Sequence, residues 1–340
     1  MFKVAMETLL SGQELAPELM RQVFSALMGG ELTPAQQAAF LVALRAKGET
    51  ASEVAEAARV MREFAVRLSA PPGAVDTCGT GGDGAGTLNI STAAAILTAS
   101  LGVPVAKHGN RSVSSRCGSA DVLEAMGWPL TLAPEALERL LREEGFAFLF
   151  APAFHPAMKV LAPVRRELGL RTVFNLLGPL ANPAGVQRQV VGVFSLPAQD
   201  LVAEALARLG AEHVLVVHSE DGMDELSPSV PTRVVEVREG AVVREFLLDP
   251  QTLGVPPVGR EDLLGGEAVQ NAQRLLAMLG GEADPAAPAV ALASAAALVV
   301  AGRAATVAEG YELASSALKQ GAALGFWEKL LSKARELSHG

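Results

Sequence analysis

The chain has 340 residues, half of them apolar and 19% charged, so it can bury a substantial core and is no disordered polymer. Its 28 Lys+Arg against 37 Asp+Glu leave a net charge of -9, which argues against a globally basic nucleic-acid binder. Two cysteines, Cys78 and Cys117, are too few for a disulfide framework or a zinc knuckle, and the expected setting is a reducing cytoplasm. The start, MFKVAMETLL, lacks the pattern of a basic start followed by a long apolar run that marks a secretory signal. The most apolar stretch, within Ala286 to Ala301, is mostly alanine and falls short of the roughly 18–20 residues a membrane span needs. It reads as a packed internal helix, and neither a membrane nor a nucleic acid is an expected partner.

The first seventy residues read as helix only. Thr33-Pro34 has the form of an N-cap with proline at the first helical position, and Gly48 marks the stop. Thr50 with Glu53 makes a capping box ahead of a helix whose Val54, Ala57, Ala58, Met61, Phe64 and Ala65 recur at helical spacing. Ser69-Ala-Pro-Pro-Gly73 then breaks the pattern and sets a domain boundary. Beyond it, short apolar runs alternate with helical stretches. The expected strands are Ala74–Cys78, Val103–Ala106, Phe146–Phe150, Gln189–Phe194 and Val214–His218. The expected helices are Ile90–Leu101, Ala120–Met126, Pro134–Glu144 and Ala198–Leu209. That alternation predicts an α/β domain with a mainly parallel central sheet. An antiparallel hairpin is expected within Thr232–Leu248 around a Glu-Gly pair, and helix returns in the last seventy residues.

Three segments carry chemistry. Asp76-Thr-Cys-Gly79-Thr-Gly81-Gly82-Asp83-Gly84 leaves a strand and reaches the helix that opens at Asn89-Ile90-Ser91-Thr92. It satisfies a dinucleotide fingerprint formally, but no acidic residue follows about 20 positions on to hold a ribose, and no Gly-Lys-Ser/Thr completes a Walker loop. A glycine-rich turn whose N–H groups approach phosphate oxygens remains, with Thr87, Ser91 and Thr92 adding hydroxyls at a helix start. The second segment, Lys107-His-Gly-Asn-Arg-Ser-Val-Ser-Ser115 through Ser119, is donor-rich and suits phosphate or sulfate. The third, Asp221-Gly-Met-Asp224-Glu225, places adjacent carboxylates after an apolar run. Such a pair can ligate Mg2+ or divide acid and base work; beside two phosphate-grade loops, Mg2+ is the more economical role.

Together GTGGD at 79–83, NIST at 89–92, KHGNR at 107–111 with SS at 114–115, GSAD at 118–121 and DGMDE at 221–225 resemble the anthranilate phosphoribosyltransferase family. HPAMK at 155–159 and RTVFNLLGPLANP at 171–183 look like its connecting segments, so the resemblance runs from about residue 5 to 335. It implies a small all-helical N-terminal domain and a larger α/β domain, similar in fold to nucleoside phosphorylases, usually paired as a homodimer. The boundaries expected are 1–70, with part of 160–185 packed on it, and 71–340.

The resemblance also implies transfer of phosphoribose from 5-phosphoribosyl 1-pyrophosphate to the amino group of anthranilate, with Mg2+, in tryptophan biosynthesis. Gly79, Gly82, Asp83, Thr87, Asn89, Ile90, Ser91 and Thr92 are then expected to cradle the donor. Lys107, His108, Gly109, Asn110, Arg111, Ser112, Val113, Ser114, Ser115 and Ser119 are expected to close over phosphate. Ser91, Asp224 and Glu225 would hold Mg2+, while Gly79, Asn110 and Arg165 would contact anthranilate. Lys107, His108 and Arg165 are the catalytic candidates; His108 reads equally as a proton shuttle for the amine or as a structural histidine. A nucleoside phosphorylase is the nearest alternative, but its usual Lys-His-Ser-Thr-Gly-Gly loop is replaced here by Lys107-His-Gly-Asn-Arg111. A non-enzymatic nucleic-acid-binding relative would need a basic groove.

Overall fold

The computed structural model describes residues 1–112 and 116–338. Four helices, Phe2–Leu10, Pro17–Met28, Pro34–Lys47 and Ala51–Glu63, come first. Thr33 and Thr50 each close a capping box, with Gln36 and Glu53, and Gly48 ends the third helix. The fourth helix stops at Glu63, one residue before Phe64, which is exposed rather than part of the apolar stripe.

A seven-stranded sheet follows: β1 (Val75–Gly79), β2 (Val105–Gly109), β3 (Phe146–Phe150), β4 (Arg188–Gly192), β5 (His213–Ser219), β6 (Thr232–Arg238) and β7 (Ala241–Leu248). Their order is β3-β2-β1-β4-β5-β6-β7; the first five run parallel and the last two antiparallel. Between β6 and β7, Glu239 and Gly240 both take positive φ, 48° and 74°, the turn that matches the twist of a hairpin.

Alternate residues along a strand point to opposite faces. On β5, Leu215 and Val217 join the core under helices Ile90–Ser100, Ala268–Leu279 and Ala287–Val300, whereas Val214 and Val216 join the core shared with the N-terminal helices. Leu161, Val173, Phe174, Leu177 and Leu180 also lie in that second core. The helix Ala287–Val300 is buried along nearly its whole length, which explains its all-round apolar sequence. No helix among the described residues is long and apolar enough to cross a membrane.

Two strand ends differ from expectation in a way that matters. β1 runs on to Gly79 and β2 to Gly109, so Lys107, His108 and Gly109 belong to the sheet and not to a loop. Each gains parallel pairing, β1 with β4 and β2 with β3, which favours extension over the donor-rich composition. β4 ends earlier, at Gly192.

Candidate active site

The chain reverses its direction of sheet growth between β1 and β4, and open α/β sheets bind ligands outside the carboxyl ends of strands at such a point. All three chemistry-bearing segments emerge there, after β1, β2 and β5.

The loop after β1 takes positive φ at Gly81, Gly82, Gly84 and Gly86, conformations that side chains resist. It is pinned from β5's side: the Gly81 N–H donates to Asp224 Oδ2 at 2.8 Å, and the Asp224 N–H donates to Asp83 Oδ2 at 3.2 Å. Asp83 Oδ1 also accepts from Ala85 N–H, so this carboxylate shapes its own turn. Glu225 Oε1 accepts from Ser91 N–H at 3.3 Å, at the positive end of the helix Ile90–Ser100. Burial and neighbouring carboxylates push Glu225 up to about 8 and Asp224 up to about 7. A small cavity lined by Thr77, Cys78, Ser91, Gly192, Glu225 and Leu226 lies beside Glu225.

Lys107 departs from its expected place over phosphate. It is 2% exposed, and its ammonium donates to the Thr77 carbonyl and, at 3.3 Å, to Ser91 Oγ. Being on β2 turns it inward, where burial lowers its pKa and Asp76 and Glu225 oppose that. Ile90 and Thr92 are likewise buried, so within Asn89–Thr92 only Asn89 and Ser91 bond other site segments through their side chains. Asn89 donates to the Cys117 carbonyl and accepts from Asn271. Thr87 bridges to Leu264.

In the second loop, Arg111 is committed to Asp121 and Glu124 at 2.8–3.0 Å rather than held open for a ligand. Asn110 accepts through its carbonyl from Ser119 Oγ, and through its side chain from Arg111 N–H. Gly109 and Gly118 admit no side chain: a Cβ would fall 2.2 Å from Ser119 Oγ and 2.3 Å from the Ser112 nitrogen. Val113, Ser114 and Ser115 lie outside the described residues.

His108 is buried, and its Nδ1 faces the Gly178 carbonyl at 3.1 Å. A carbonyl only accepts, so the proton sits on Nδ1 and Nε2 is a bare lone pair without a partner. Burial, helped by His155 with ring centres 5.1 Å apart, pushes His108 down to about 3. His108 is therefore neutral, and its one proton holds the 174–182 segment against β2. Arg165 is half-buried and stacks over Phe174 at 5.0 Å, and it pairs with no carboxylate among the described residues. Gly79 abuts Asp224: an added Cβ would lie 2.8 Å from Oδ2.

Two family models cover the chain, the helical bundle domain of a glycosyl transferase family at residues 3–65 and its a/b domain at 71–324. The anthranilate phosphoribosyltransferase of Methylobacterium nodulans is 48% identical over 331 residues, covering 97% of this chain and 98% of that protein. The chain belongs to the anthranilate phosphoribosyltransferase family. The crystal structure of the family member from Thermus thermophilus superposes with a TM-score of 0.92 at 47% identity, covering 97% of this chain and 99% of that one. The member from Saccharomyces cerevisiae, in complex with PRPP and Mg, gives 0.90 at 25% identity over 98% of each chain.

Other residues that shape this phosphoribosyltransferase site were not singled out from the sequence. Gly192 leaves room for Asp224, and a glycine inside a strand pattern signals close backbone approach. Buried Asp76 takes N–H bonds from His108 and from Asn182 Nδ2, fixing β1, β2 and the 178–184 turn together. Arg171 donates to the Gly82 carbonyl, and nothing in its local sequence signals that role.

Proposed function

We propose that this chain transfers the 5-phosphoribosyl group from 5-phosphoribosyl 1-pyrophosphate to the amino group of anthranilate, releasing pyrophosphate, in tryptophan biosynthesis. The observation that carries it is the union of three loops at the switch point. Asp224 ties to the glycine loop, Glu225 to the helix start at Ser91, and Asn89 to the Cys117 carbonyl of the second segment.

Asp83, Asp224 and Glu225 gather with the Lys107 ammonium behind them, an excess of negative charge that a divalent cation offsets. Among the described residues no three His, Cys, Asp or Glu side chains form a cation cage by themselves. Mg2+ takes one or two carboxylates and completes its shell with water and substrate phosphates. Asp224 and Glu225 would hold it, with the Ser91 hydroxyl beside them. When bound, Mg2+ neutralises the charge that grows on the leaving pyrophosphate.

The aryl amine is unprotonated at neutral pH, so the residues need supply no strong base. Its nitrogen forms the bond to the ribose C1 as the C1–O bond to pyrophosphate breaks, and the ammonium proton that results leaves to water. The loop N–H groups of Gly82, Asp83 and Gly84 bind phosphate oxygens, whereas those at the start of the Ile90–Ser100 helix are already taken by Glu225, Leu88 and Asn89. Arg165 and Asn110 orient the flat acid toward C1, and catalysis is positional and electrostatic. Lys107 acts from behind, keeping Ser91 in place.

A cytoplasmic homodimer, with a helical unit at 1–70 and an α/β unit at 71–340, belongs to the same reading. Exposed Val4, Leu10 and Val42 on the N-terminal helices offer apolar surface for pairing. Mixing the protein with anthranilate, the donor and Mg2+ and following anthranilate fluorescence tests the activity; unchanged fluorescence with full-length folded protein refutes it. Light scattering tests the dimer.

A further inference from the structure

The glycine loop is tied at Thr80 and Gly81 on one side and at Ala85 and Gly86 on the other, which leaves Gly82 between its anchors. Its four glycines at positive φ lose much conformational freedom on ordering. The Gly82 carbonyl accepts from the Arg171 guanidinium. A Cβ on Gly82 would lie only 3.6 Å from Arg171 Nη2, so the guanidinium lies against the loop itself.

Arg171 is in turn fixed from below. Its guanidinium stacks on the Phe194 ring at 4.3 Å, and the Phe194 N–H donates to Thr80 Oγ1 at 3.2 Å. Arg171, Gly82, Thr80 and Phe194 therefore form a closed ring of contacts around the loop. Arg171 has no carboxylate partner among the described residues, so its charge and remaining N–H donors are uncommitted. The segment that bears it is anchored elsewhere: Thr172 N–H donates to Asn175 Oδ1, and Val173 and Phe174 are buried in the core shared with the N-terminal helices. Phe174 is also the ring on which Arg165 rests.

We propose that Arg171 is a positioning residue for the donor substrate. It clamps the glycine loop through Gly82 against the Phe194 platform, and it joins that loop to the segment carrying Arg165. The inference rests on the donor reading of the glycine loop. A planar guanidinium is required, because the clamp stacks and donates at once; an ammonium does only the second.

The test is steady-state kinetics with both substrates, together with calorimetric titration of 5-phosphoribosyl 1-pyrophosphate in Mg2+ without anthranilate. Arg171→Ala is expected to raise the KM and the dissociation constant of the donor about tenfold or more, the worth of a charge-assisted hydrogen bond. The KM for anthranilate stays within about twofold and the melting temperature is unchanged, a split that a merely structural role would not produce. Arg171→Lys remains defective, Phe194→Leu raises the donor KM in the same sense, and the double variant is less than additive. Free guanidinium restores donor affinity to Arg171→Ala. Donor constants within twofold of wild type in Arg171→Ala, full recovery by lysine, or equal losses for both substrates would overturn the clamp. Wild-type protein that consumes no anthranilate fails the functional reading itself; wild-type turnover with an indifferent Arg171→Ala fails this inference alone.

Discussion

Gly192 and Asp224 meet backbone to backbone: a Cβ on Gly192 would stand 1.6 Å from the Asp224 carbonyl oxygen. The same glycine's carbonyl accepts from Thr80 N–H at 2.9 Å, so one residue of β4 sets the height of two loops. Gly192→Ala pushes the acidic turn off the sheet edge. The expected result is a fall in kcat/KM of about tenfold to a hundredfold, in line with overpacking costs of about 1–3 kcal/mol, together with a higher Mg2+ requirement. Activity titrated against Mg2+ reads both, and wild-type curves would show that the contact is relaxed at no cost.

Glu225 and Asp224 have carboxyls raised to about 8 and about 7, from ordinary values near 4.5 and 3.8. The folded metal-free protein binds these protons more tightly than the unfolded chain, so its stability declines as pH rises from about 4 to about 8. A bound divalent cation must displace the same protons, and its affinity climbs over that window. Thermal melts with and without Mg2+ are therefore expected to differ more at pH 8.5 than at pH 6. Asp224→Asn with Glu225→Gln removes that pH dependence and moves the metal requirement upward. An Mg2+ effect of equal size at both pH values would exclude these carboxylates.

Arg165, stacked over Phe174 and free of carboxylate partners among the described residues, is poised for an anion. Arg165→Ala is expected to raise the KM for anthranilate about tenfold or more while the donor KM changes little. Equal shifts in both constants would remove the acceptor role. Because Arg171→Ala moves the other substrate, the two variants form a reciprocal pair.

The helical caps at Thr33 and Thr50, the alternation of strands and helices, and the Glu239-Gly240 hairpin were legible because each is decided by neighbours in sequence. The glycine loop, Ser91 and the Asp224-Glu225 pair stand out in the sequence because glycine runs and adjacent carboxylates are costly without a use, and the structure brings them to one sheet edge. What escaped is set by pairing across the sheet. Lys107 looks like a loop cation until β2 is seen to run to Gly109 and turn it toward Thr77 and Ser91. Arg111 reads as a phosphate donor, yet Asp121 and Glu124 on the following helix take it. Arg171 and Asn271 act on segments 89 and 182 positions away, a distance over which no local pattern speaks.

The buried histidine pair gives an acid-side prediction. Burial lowers His108 to about 3 and His155 to about 4, with the Ala181 backbone opposing the second shift in part. As pH falls below the ordinary 6.5, the unfolded chain takes protons that the folded one refuses. Stability from this pair is complete above about 6.5 and is lost progressively toward about 3. His155→Leu is expected to lose less stability than wild type between pH 7 and pH 5 in urea titrations. Activity profiles are expected to carry no histidine ionisation from this pair, and a limb abolished by His155→Leu would contradict the assignment.

Glu53 is the clearest purely structural charge. It is fully buried, accepts from the N–H groups of Leu15 at 3.0 Å and Thr50 at 2.9 Å, and pairs with Lys47 at 2.7 Å. It therefore ties the loop before the second helix to the start of the fourth. Glu53→Gln keeps the shape but strands the Lys47 ammonium, which is itself 5% exposed. Breaking a buried pair from one side costs about 3–5 kcal/mol, whereas removing both charges costs far less. Urea unfolding is expected to show that loss for Glu53→Gln and partial recovery for Glu53→Gln with Lys47→Met, while the KM values of both substrates stay near wild type. A loss under about 1 kcal/mol, or a double variant no better than the single one, would mean that water reaches the pair and screens it.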